Sequence, residues 1–251
     1  MNLCLYGPAP RWTMTERGRA DLSRSERRLA IGPSAITWDG DALVIDVEER
    51  ATPVPLRAVG RIRVVPEARN AEPFALDPAG RHVWHPLAPA ARVDVMMKAP
   101  AVRWSGHGYV DMNFGAEPLE AGFRRWNWSR ALLPRGSAVF YEGDLSDGEP
   151  FALALRFDAS GRPEPVEAPP LLALPRTVWG IARATRADGP GAARVVRTLE
   201  DTPFYSRSVL ASRLFGADAP SVHESVDLTR FASRWVQTLL PYRMPRKPGR
   251  E

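Results

Sequence analysis

The segment Thr37–Glu49, TWDGDALVIDVEE, decides the fold class. Asp39-Gly40 stands between two β-rich runs, and an Asp-Gly pair so placed is a strong hairpin signature. Ala42–Glu49 is built around Val44, Ile45 and Val47, branched residues that suit a pleated, half-buried surface. The same grammar recurs along the chain. Val59–Pro66 (VGRIRVVP) alternates apolar and basic residues, as a half-buried strand does. Ala91–Met97, Val102–Asp111, Phe123–Trp128, Ala138–Glu142 and Phe151–Phe157 read as further strands. Val178–Thr185, Ala193–Leu199 and Tyr205–Leu214 continue the pattern. Only Asp227–Leu240 (DLTRFASRWVQTLL) reads as helix, with Pro241 expected to stop it. Short strands at roughly 8–12-residue spacing indicate an all-β barrel or sandwich. The densest proline stretch, Asp158–Pro175, is expected to separate two β domains, residues 1–158 and 159–251. Two such domains could enclose an elongated apolar cavity. The absence of a 20–50-residue repeat disfavours a solenoid or propeller.

At 251 residues the chain can bury a sizeable core, and its 44% hydrophobic and 25% charged composition is that of a globular protein. No run approaches the roughly 18–20 apolar residues of a spanning helix, and Met1–Arg19 lacks the layout of a signal peptide. Cytoplasmic placement is therefore expected. Cys4 is the only cysteine, which excludes an intrachain disulfide or a cysteine metal cluster and reads as a lone buried thiol. The net charge of +5 comes mostly from arginine, clustered at Arg17–Arg28 and Arg243–Arg250. Nucleic acid or an anionic membrane surface would suit such charge, as would plain codon bias. The 29 acidic residues are interspersed with the basic ones, and no helix-turn-helix, zinc-finger or RNP pattern occurs. Nucleic acid is therefore not expected as a partner.

Trp104–Trp128, WSGHGYVDMNFGAEPLEAGFRRWNW, carries the most chemistry. On a strand, His107, Tyr109 and Asp111 project from one face, with Trp104, Trp126 and Trp128 near in sequence. An aligned imidazole, phenol and carboxyl suit acid chemistry in an aromatic-walled pocket. His82 and Trp84 of His82-Val83-Trp84-His85 share strand parity and could line the same cavity; alternatively His82 and His85 are surface turn residues following Asp77–Gly80. His82, His85, His107 and Asp111 could in principle hold zinc, but no HExxH spacing occurs, so no metal is expected. There is no GxSxG, Walker loop or GxGxxG. Trp38, Trp126, Trp128 and Trp179 are by default core residues, and Glu120 reads as a solvated turn or strand-edge acid.

The chain resembles the carotenoid 1,2-hydratase, or hydroxyneurosporene synthase, family of photosynthetic bacteria. The likeness lies in LYGPAPRWTMTERGR (Leu5–Arg19), IGPSAITWDGDALVIDVEE (Ile31–Glu49), RHVWHPLAP (Arg81–Pro89), WSGHGYVDMNFGAEPLE (Trp104–Glu120), FRRWNWSR (Phe123–Arg130), DTPFYSRS (Asp201–Ser208) and VHESVDL (Val222–Leu228). GHGYxDxN followed by EPLE and WxW is far more specific than any generic motif. The resemblance implies an all-β, lipocalin-like two-part β-barrel or sandwich with one short C-terminal helix. It also implies a cofactor-free hydro-lyase that adds water to the terminal C1,2 double bond of acyclic carotenoids such as neurosporene or lycopene. An aspartate proton donor with histidine, tryptophan and tyrosine of HxW and YxD motifs then falls on Asp111, His82, Trp84 and Tyr109. His107, Trp104, Trp126 and Trp128 are expected to bind substrate. The family pattern further implies thirty or more residues ahead of Leu5–Pro8, expected to help complete the pocket.

That chemistry protonates C2, leaves a tertiary cation at C1, and ends with capture by water. A carboxyl with an ordinary pKa of about 3.9 is ionised at neutral pH, so Asp111 is expected to be kept protonated by desolvation. His107 or His82 would reload its proton or orient the water. Trp84 and Tyr109 could present π faces to the cation, at roughly 2 kcal/mol or more each when desolvated; Tyr109 could instead donate a hydrogen bond to Asp111. A membrane-resident polyene calls for peripheral contact with anionic lipid, for which Arg17–Arg28 and Arg243–Arg250 are the candidates. A non-catalytic lipocalin-like carrier of an apolar ligand is the alternative, and a metal-dependent hydrolase on a β scaffold is a third reading.

Overall fold

The computed structural model describes Met1–Arg246, so Lys247–Glu251, and with them half of the basic tail Arg243–Arg250, lie outside the described residues. The chain forms two compact units. The first comprises Met1–Glu67, Ala91–Gly108 and the chain from Gln237; the second comprises Ala68–Ala90 and Tyr109–Val236. The Pro-rich stretch expected to divide the domains lies inside the second unit, where Pro163–Pro165 forms an edge strand against Leu155–Phe157.

In the first unit β1 (Asn2–Leu5) pairs with β2 (Arg11–Met14). β3 (Leu22–Arg24), β4 (Arg28–Ile31), β5 (Ser34–Trp38), β6 (Leu43–Arg50) and β7 (Arg57–Ala68) follow as an antiparallel meander. The Asp39-Gly40 turn forms as expected: Gly40 has φ +113°, and Asp39 Oδ1 accepts from the Asp41 and Ala42 amides at 2.9 and 2.7 Å. Trp38 opposite Leu43 closes the hairpin. One charge pair is buried here, Arg17 bidentate to Glu49 (3.0 and 2.7 Å), with Ser34 Oγ donating to Glu49 at 2.7 Å. Cys4 is half-buried rather than buried.

After β8 (Phe74–Ala75), β9 (His82–Ala99) and β10 (Ala101–Gly115) are long strands that contribute to both units. The sheet order is β10-β9-β7-β6-β5-β4-β3, with β8 against β9. β9 joins the strand parity of His82 and Trp84 to the expected strand Ala91–Met97 through Pro86 and Pro89, which lack the ladder N–H. Both prolines are buried, and side chains use the carbonyls instead: the Pro89 oxygen accepts Arg130 Nε and Nη2 at 3.1 and 2.5 Å.

The second unit continues with α1 (Leu119–Gly122), β11 (Phe123–Leu132), β12 (Ser137–Leu145), β13 (Pro150–Phe157), β14 (Pro163–Pro165), β15 (Leu171–Leu174) and β16 (Arg183–Arg186). Then come β17 (Ala193–Asp201), β18 (Tyr205–Leu214), β19 (Ala217–Asp218) and β20 (Ser221–Asp227). Its main sheet runs β14-β13-β12-β11-β20-β18-β17, and β15 and β16 form a separate hairpin. Of the expected strand Val178–Thr185 only Arg183–Thr185 forms, within β16; Val178–Gly180 is a turn with Gly180 at φ +75°, and Trp179 is exposed rather than core. The helical segment also differs. Asp227 caps α2 (Leu228–Phe231) by accepting the Arg230 amide at 2.9 Å, and a break at Ala232–Ser233 precedes α3 (Arg234–Arg243). Pro241 lies inside α3; its ring removes a single helical bond, and the Met244 amide still reaches the Leu240 carbonyl at 2.8 Å.

The core of the second unit is aromatic. Trp84, Phe123, Trp128 and Tyr141 are buried with Leu76, Val139, Leu155 and Phe157. Trp126, Trp128 and Arg130 alternate along β11 and so share a face.

Candidate active site

β9 and β10 supply the functional side chains, because strand alternation sends every second residue to one face. Trp84 is wholly buried (0% exposed) and donates its indole Nε1–H to Asp111 Oδ2 at 2.9 Å. The Tyr109 hydroxyl donates to the same oxygen at 3.1 Å. Three of the expected residues thus meet at one carboxyl oxygen. Asp111 Oδ1 makes no hydrogen bond to another described residue. With both acceptor directions of Oδ2 used, a proton on this carboxyl belongs on Oδ1.

Burial against the aromatic cluster pushes the Asp111 pKa above its ordinary value, while the Trp84 and Tyr109 hydrogen bonds pull it down. Desolvation outweighs the donors. Asp111 is nevertheless exposed as a whole residue. The expected closed chamber is therefore an open site, in which one flank of the carboxyl rests on buried aromatic rings and the other meets solvent.

The rings around it interlock. Trp84 meets Phe74 at 5.8 Å and Tyr141 at 6.0 Å edge-on; Trp126 meets Tyr141 at 5.3 Å. Trp128 lies 5.6 Å from the Tyr109 ring, and the Arg130 guanidinium lies 5.2 Å from the same ring. Arg130 is a buried cation whose hydrogen bonds go to the Pro89 carbonyl. Burial raises the Tyr109 pKa, so it stays a phenol and a donor. Of the two roles left open for Tyr109, the geometry matches the hydrogen bond: protein groups crowd its ring while its hydroxyl reaches Asp111. Trp84 has no exposed surface, and it is its N–H rather than its face that reaches Asp111. The Trp126 and Trp128 indole N–H groups are buried without a partner among the described residues.

His82 is in strand β9 and 3% exposed, so the surface-turn alternative does not describe it. Its ring is not bonded to Asp111. Nε2 lies 3.3 Å from Glu117 Oε1, and its backbone amide donates to Asp77 Oδ2 at 2.7 Å. His85 bonds the Asn70 carbonyl at 3.1 Å, and among the described residues no three His, Cys, Asp or Glu side chains gather as a metal-binding group. Trp104 and His107 are exposed residues of the first unit. Glu120, in the first turn of α1, is exposed as expected.

Two neighbours of the site were not singled out from sequence. Arg130 carried a readable signal, since it is in phase with Trp126 and Trp128. Glu117 did not: it stands in a bend before Pro118 and finds His82 across 35 positions.

Comparison with known proteins follows from this geometry. Residues 1–251 match the family model for the carotenoid hydratase CrtC. The acyclic carotenoid 1,2-hydratase of Thiocapsa roseopersicina is 55% identical over 251 residues, covering 99% of this chain and 62% of that protein. The hydratase of Rubrivivax gelatinosus is 45% identical over 249 residues (98% and 61%), and that of Cereibacter sphaeroides 40% identical over 250 (99% and 89%). The chain thus spans about three-fifths of the length of the first two relatives. Among solved structures, a putative AttH from Nitrosomonas europaea superposes with a TM-score of 0.58 at 13% identity, covering 83% of this chain and 72% of that one. CghA with Sch210972 gives 0.54 at 10% identity (82% and 69%). These structural likenesses concern the fold alone, which is all-β and lipocalin-like.

Proposed function

Because the chain belongs to the carotenoid hydratase family, we propose that it is a hydro-lyase that adds water to the terminal C1,2 double bond of an acyclic carotenoid such as neurosporene or lycopene. The observation that carries the reading is the Asp111 carboxyl, desolvated on one flank, with the Trp84 and Tyr109 donors on Oδ2 and no bond from another described residue to Oδ1. Alkene protonation asks two opposed things of an acid. It must hold a proton near neutral pH, and its conjugate base must be stable once the proton has gone. Desolvation works toward the first demand by raising the Asp111 pKa, and the Trp84 and Tyr109 donors work toward the second.

In the proposed sequence the C2 carbon takes the proton from Oδ1, the π electrons forming the new C–H bond. Asp111 becomes a carboxylate held by Trp84 and Tyr109 and faces the tertiary cation at C1. Hydrogen bonds to a charged acceptor contribute about 1.5–3 kcal/mol each. Water oxygen then bonds to C1, and the proton it releases returns to the carboxylate. Alkene and water become a tertiary alcohol, and the acid is restored.

The test is incubation of the protein with lycopene or neurosporene in detergent, followed by mass analysis. A product heavier by one or two waters is expected, and in heavy water one deuterium should appear at C2 for each water added. Unchanged carotenoid under conditions where the Cereibacter sphaeroides relative is active would overturn the reading.

An acyclic polyene resides in the bilayer, and peripheral membrane contact is part of the same proposal. Among the described residues no helix is long and apolar enough to cross a membrane. Arg19, Arg24, Arg27 and Arg28 are exposed, whereas Arg17 is committed to Glu49. In the second unit Val178 is 98% exposed beside half-exposed Trp179 and Trp235, whose rings stack at 6.3 Å. Indoles and an uncovered aliphatic suit a lipid interface. Co-sedimentation with anionic vesicles should weaken with salt and with Trp179→Ser; indifference to both would remove this part of the reading.

A further inference from the structure

The fold makes room for the His82 imidazole in an unusual way. A Cβ on Gly122 would stand 2.2 Å from His82 Nε2, and one on Gly115 would stand 2.9 Å from Nδ1. The Phe123 ring packs against the imidazole at 4.8 Å, and Asp77 holds the backbone amide. Two glycines and two anchors thus fix a ring that is 3% exposed.

Glu117 faces one of the two ring nitrogens. Its Oε1 lies 3.3 Å from Nε2, and its Oε2 accepts from Arg81 Nη1 at 3.3 Å. A carboxylate oxygen can only accept, so opposite one a neutral His82 ring donates from Nε2 and keeps its basic lone pair on Nδ1. Nδ1 has no protein partner among the described residues. Gly115, beside Nδ1, lines a cleft of about 180 Å³ together with His82, Leu76, Asn113, Glu117 and Leu119. A water takes roughly 30 Å³ in the liquid, so the cleft has room for several. Asn113 lies two residues beyond Asp111 on the same face of β10, a step of about 7 Å.

We propose that this cleft holds the water consumed in the reaction, with His82 Nδ1 as the base that receives its proton and Glu117 as the positioning residue that fixes the imidazole tautomer. The proposal rests on the hydratase reading and specifies its second half-reaction. Water oxygen forms the C–O bond to the C1 cation while an O–H bond breaks toward Nδ1, giving an imidazolium paired with the Glu117 carboxylate. The imidazolium then returns that proton, through cleft water past Asn113, to the Asp111 carboxylate. One proton leaves Asp111 and one comes back, so the atoms and charges balance.

The experiment labels the histidines with nitrogen-15 and reads the His82 tautomer, assigned by its loss in His82→Gln, alongside turnover of detergent-solubilised lycopene. Wild type should show the Nε2–H tautomer. Glu117→Ala should lose that preference and lower kcat by about tenfold or more with KM for the carotenoid unchanged. Glu117→Gln, which keeps an acceptor, should restore both. Asn113→Leu, which fills the cleft, should lower kcat while leaving the tautomer alone. A wild-type Nδ1–H tautomer, or a Glu117→Ala protein with unaltered tautomer and kcat, overturns the proposal; if Glu117→Ala fails to fold, full kcat in Asn113→Leu does so. Active wild type with indifferent variants sinks only this inference, whereas inactive wild type sinks the hydratase reading and leaves the tautomer measurement to judge Glu117.

Discussion

Burial pushes both Asp111 and His223 of the second unit toward their neutral forms, and they could hardly be used more differently. His223, on β20, is 0% exposed; its Nε2–H donates to the Ala184 carbonyl at 2.8 Å, and its Nδ1 is buried without a partner among the described residues. Its cross-strand neighbours are the buried Ser208 and Ser129. Burial lowers its pKa to about 4. Asp111 is desolvated on one flank only, and its neutral form carries a proton where that of His223 lacks one. The surroundings of Asp111 oppose one another, burial favouring the acid and two donors favouring its anion. For His223 one backbone bond, to the Ala184 carbonyl, opposes burial, and burial carries the pKa well down regardless. Desolvation by itself makes a structural group; desolvation set against donors beside open surface makes a candidate acid.

The sharpest way to break this contrast is Asp111→Asn. The amide keeps the shape and an acceptor for Trp84 and Tyr109, so the fold should survive while hydration falls by at least 10²–10⁴-fold, read by mass analysis of lycopene products. The stability change has a definite sign. A carboxyl whose folded pKa is raised contributes stability fully present below 3.8 and lost as pH rises through the folded value. The variant should therefore be at least as stable as wild type at pH 7 in urea unfolding. Residual turnover close to wild type would make Asp111 resemble His223, a group with structure and no chemistry.

His223→Gln tests the other member and should move stability while sparing chemistry. The depressed pKa means that neutral His223 contributes stability above about 6.5, lost as pH falls through about 4. The loss is on the order of 3 kcal/mol across that window. Glutamine can still donate to the Ala184 carbonyl but does not titrate, so urea midpoints at pH 7 and pH 4 should converge in the variant. A wild-type protein equally stable at both would show that His223 is less sequestered than its burial implies.

The Asp111 side of this contrast was legible in the sequence, whereas His223 carried no signal of its own. The alternation that placed Tyr109 and Asp111 on one face, and His82 and Trp84 on another strand's inner face, survives in β10 and β9. Periodicity records which face a side chain takes, and burial then follows. It does not record which strand arrives opposite, so the bond from Trp84 to Asp111 and that from His82 to Glu117 could not be paired from spacing. Glu117 was hidden further by the EPLE stretch, where attention went to Glu120, which is solvated. The continuity of β9 was obscured by Pro86 and Pro89, whose missing amides are tolerated where Arg130 and other groups use the neighbouring carbonyls. Val178–Gly180 misled in the opposite sense, since its apolar residues suit a strand but Gly180 turns the chain.

The smallest expected effect is also the most discriminating, because Tyr109→Phe keeps the ring and removes only the hydroxyl. Were Tyr109 to serve the cation through its face, phenylalanine would do nearly as well, and kcat and the pH profile would stay put. Trp128 and Arg130 crowd that ring, and a buried guanidinium beside it repels a carbocation approaching from the same side. The hydroxyl bond to Oδ2 is therefore the property that matters. Its loss should lower kcat about tenfold, at the lower end of what a hydrogen bond to a charged group contributes, because Asp111 is partly solvated. It should also shift the basic limb of activity to higher pH, since one of the donors holding the Asp111 pKa down is gone. A slower enzyme that stays active in more alkaline solution is a signature that loss of packing would not produce, and it separates an acid tuned by opposed forces from a carboxyl that is merely buried.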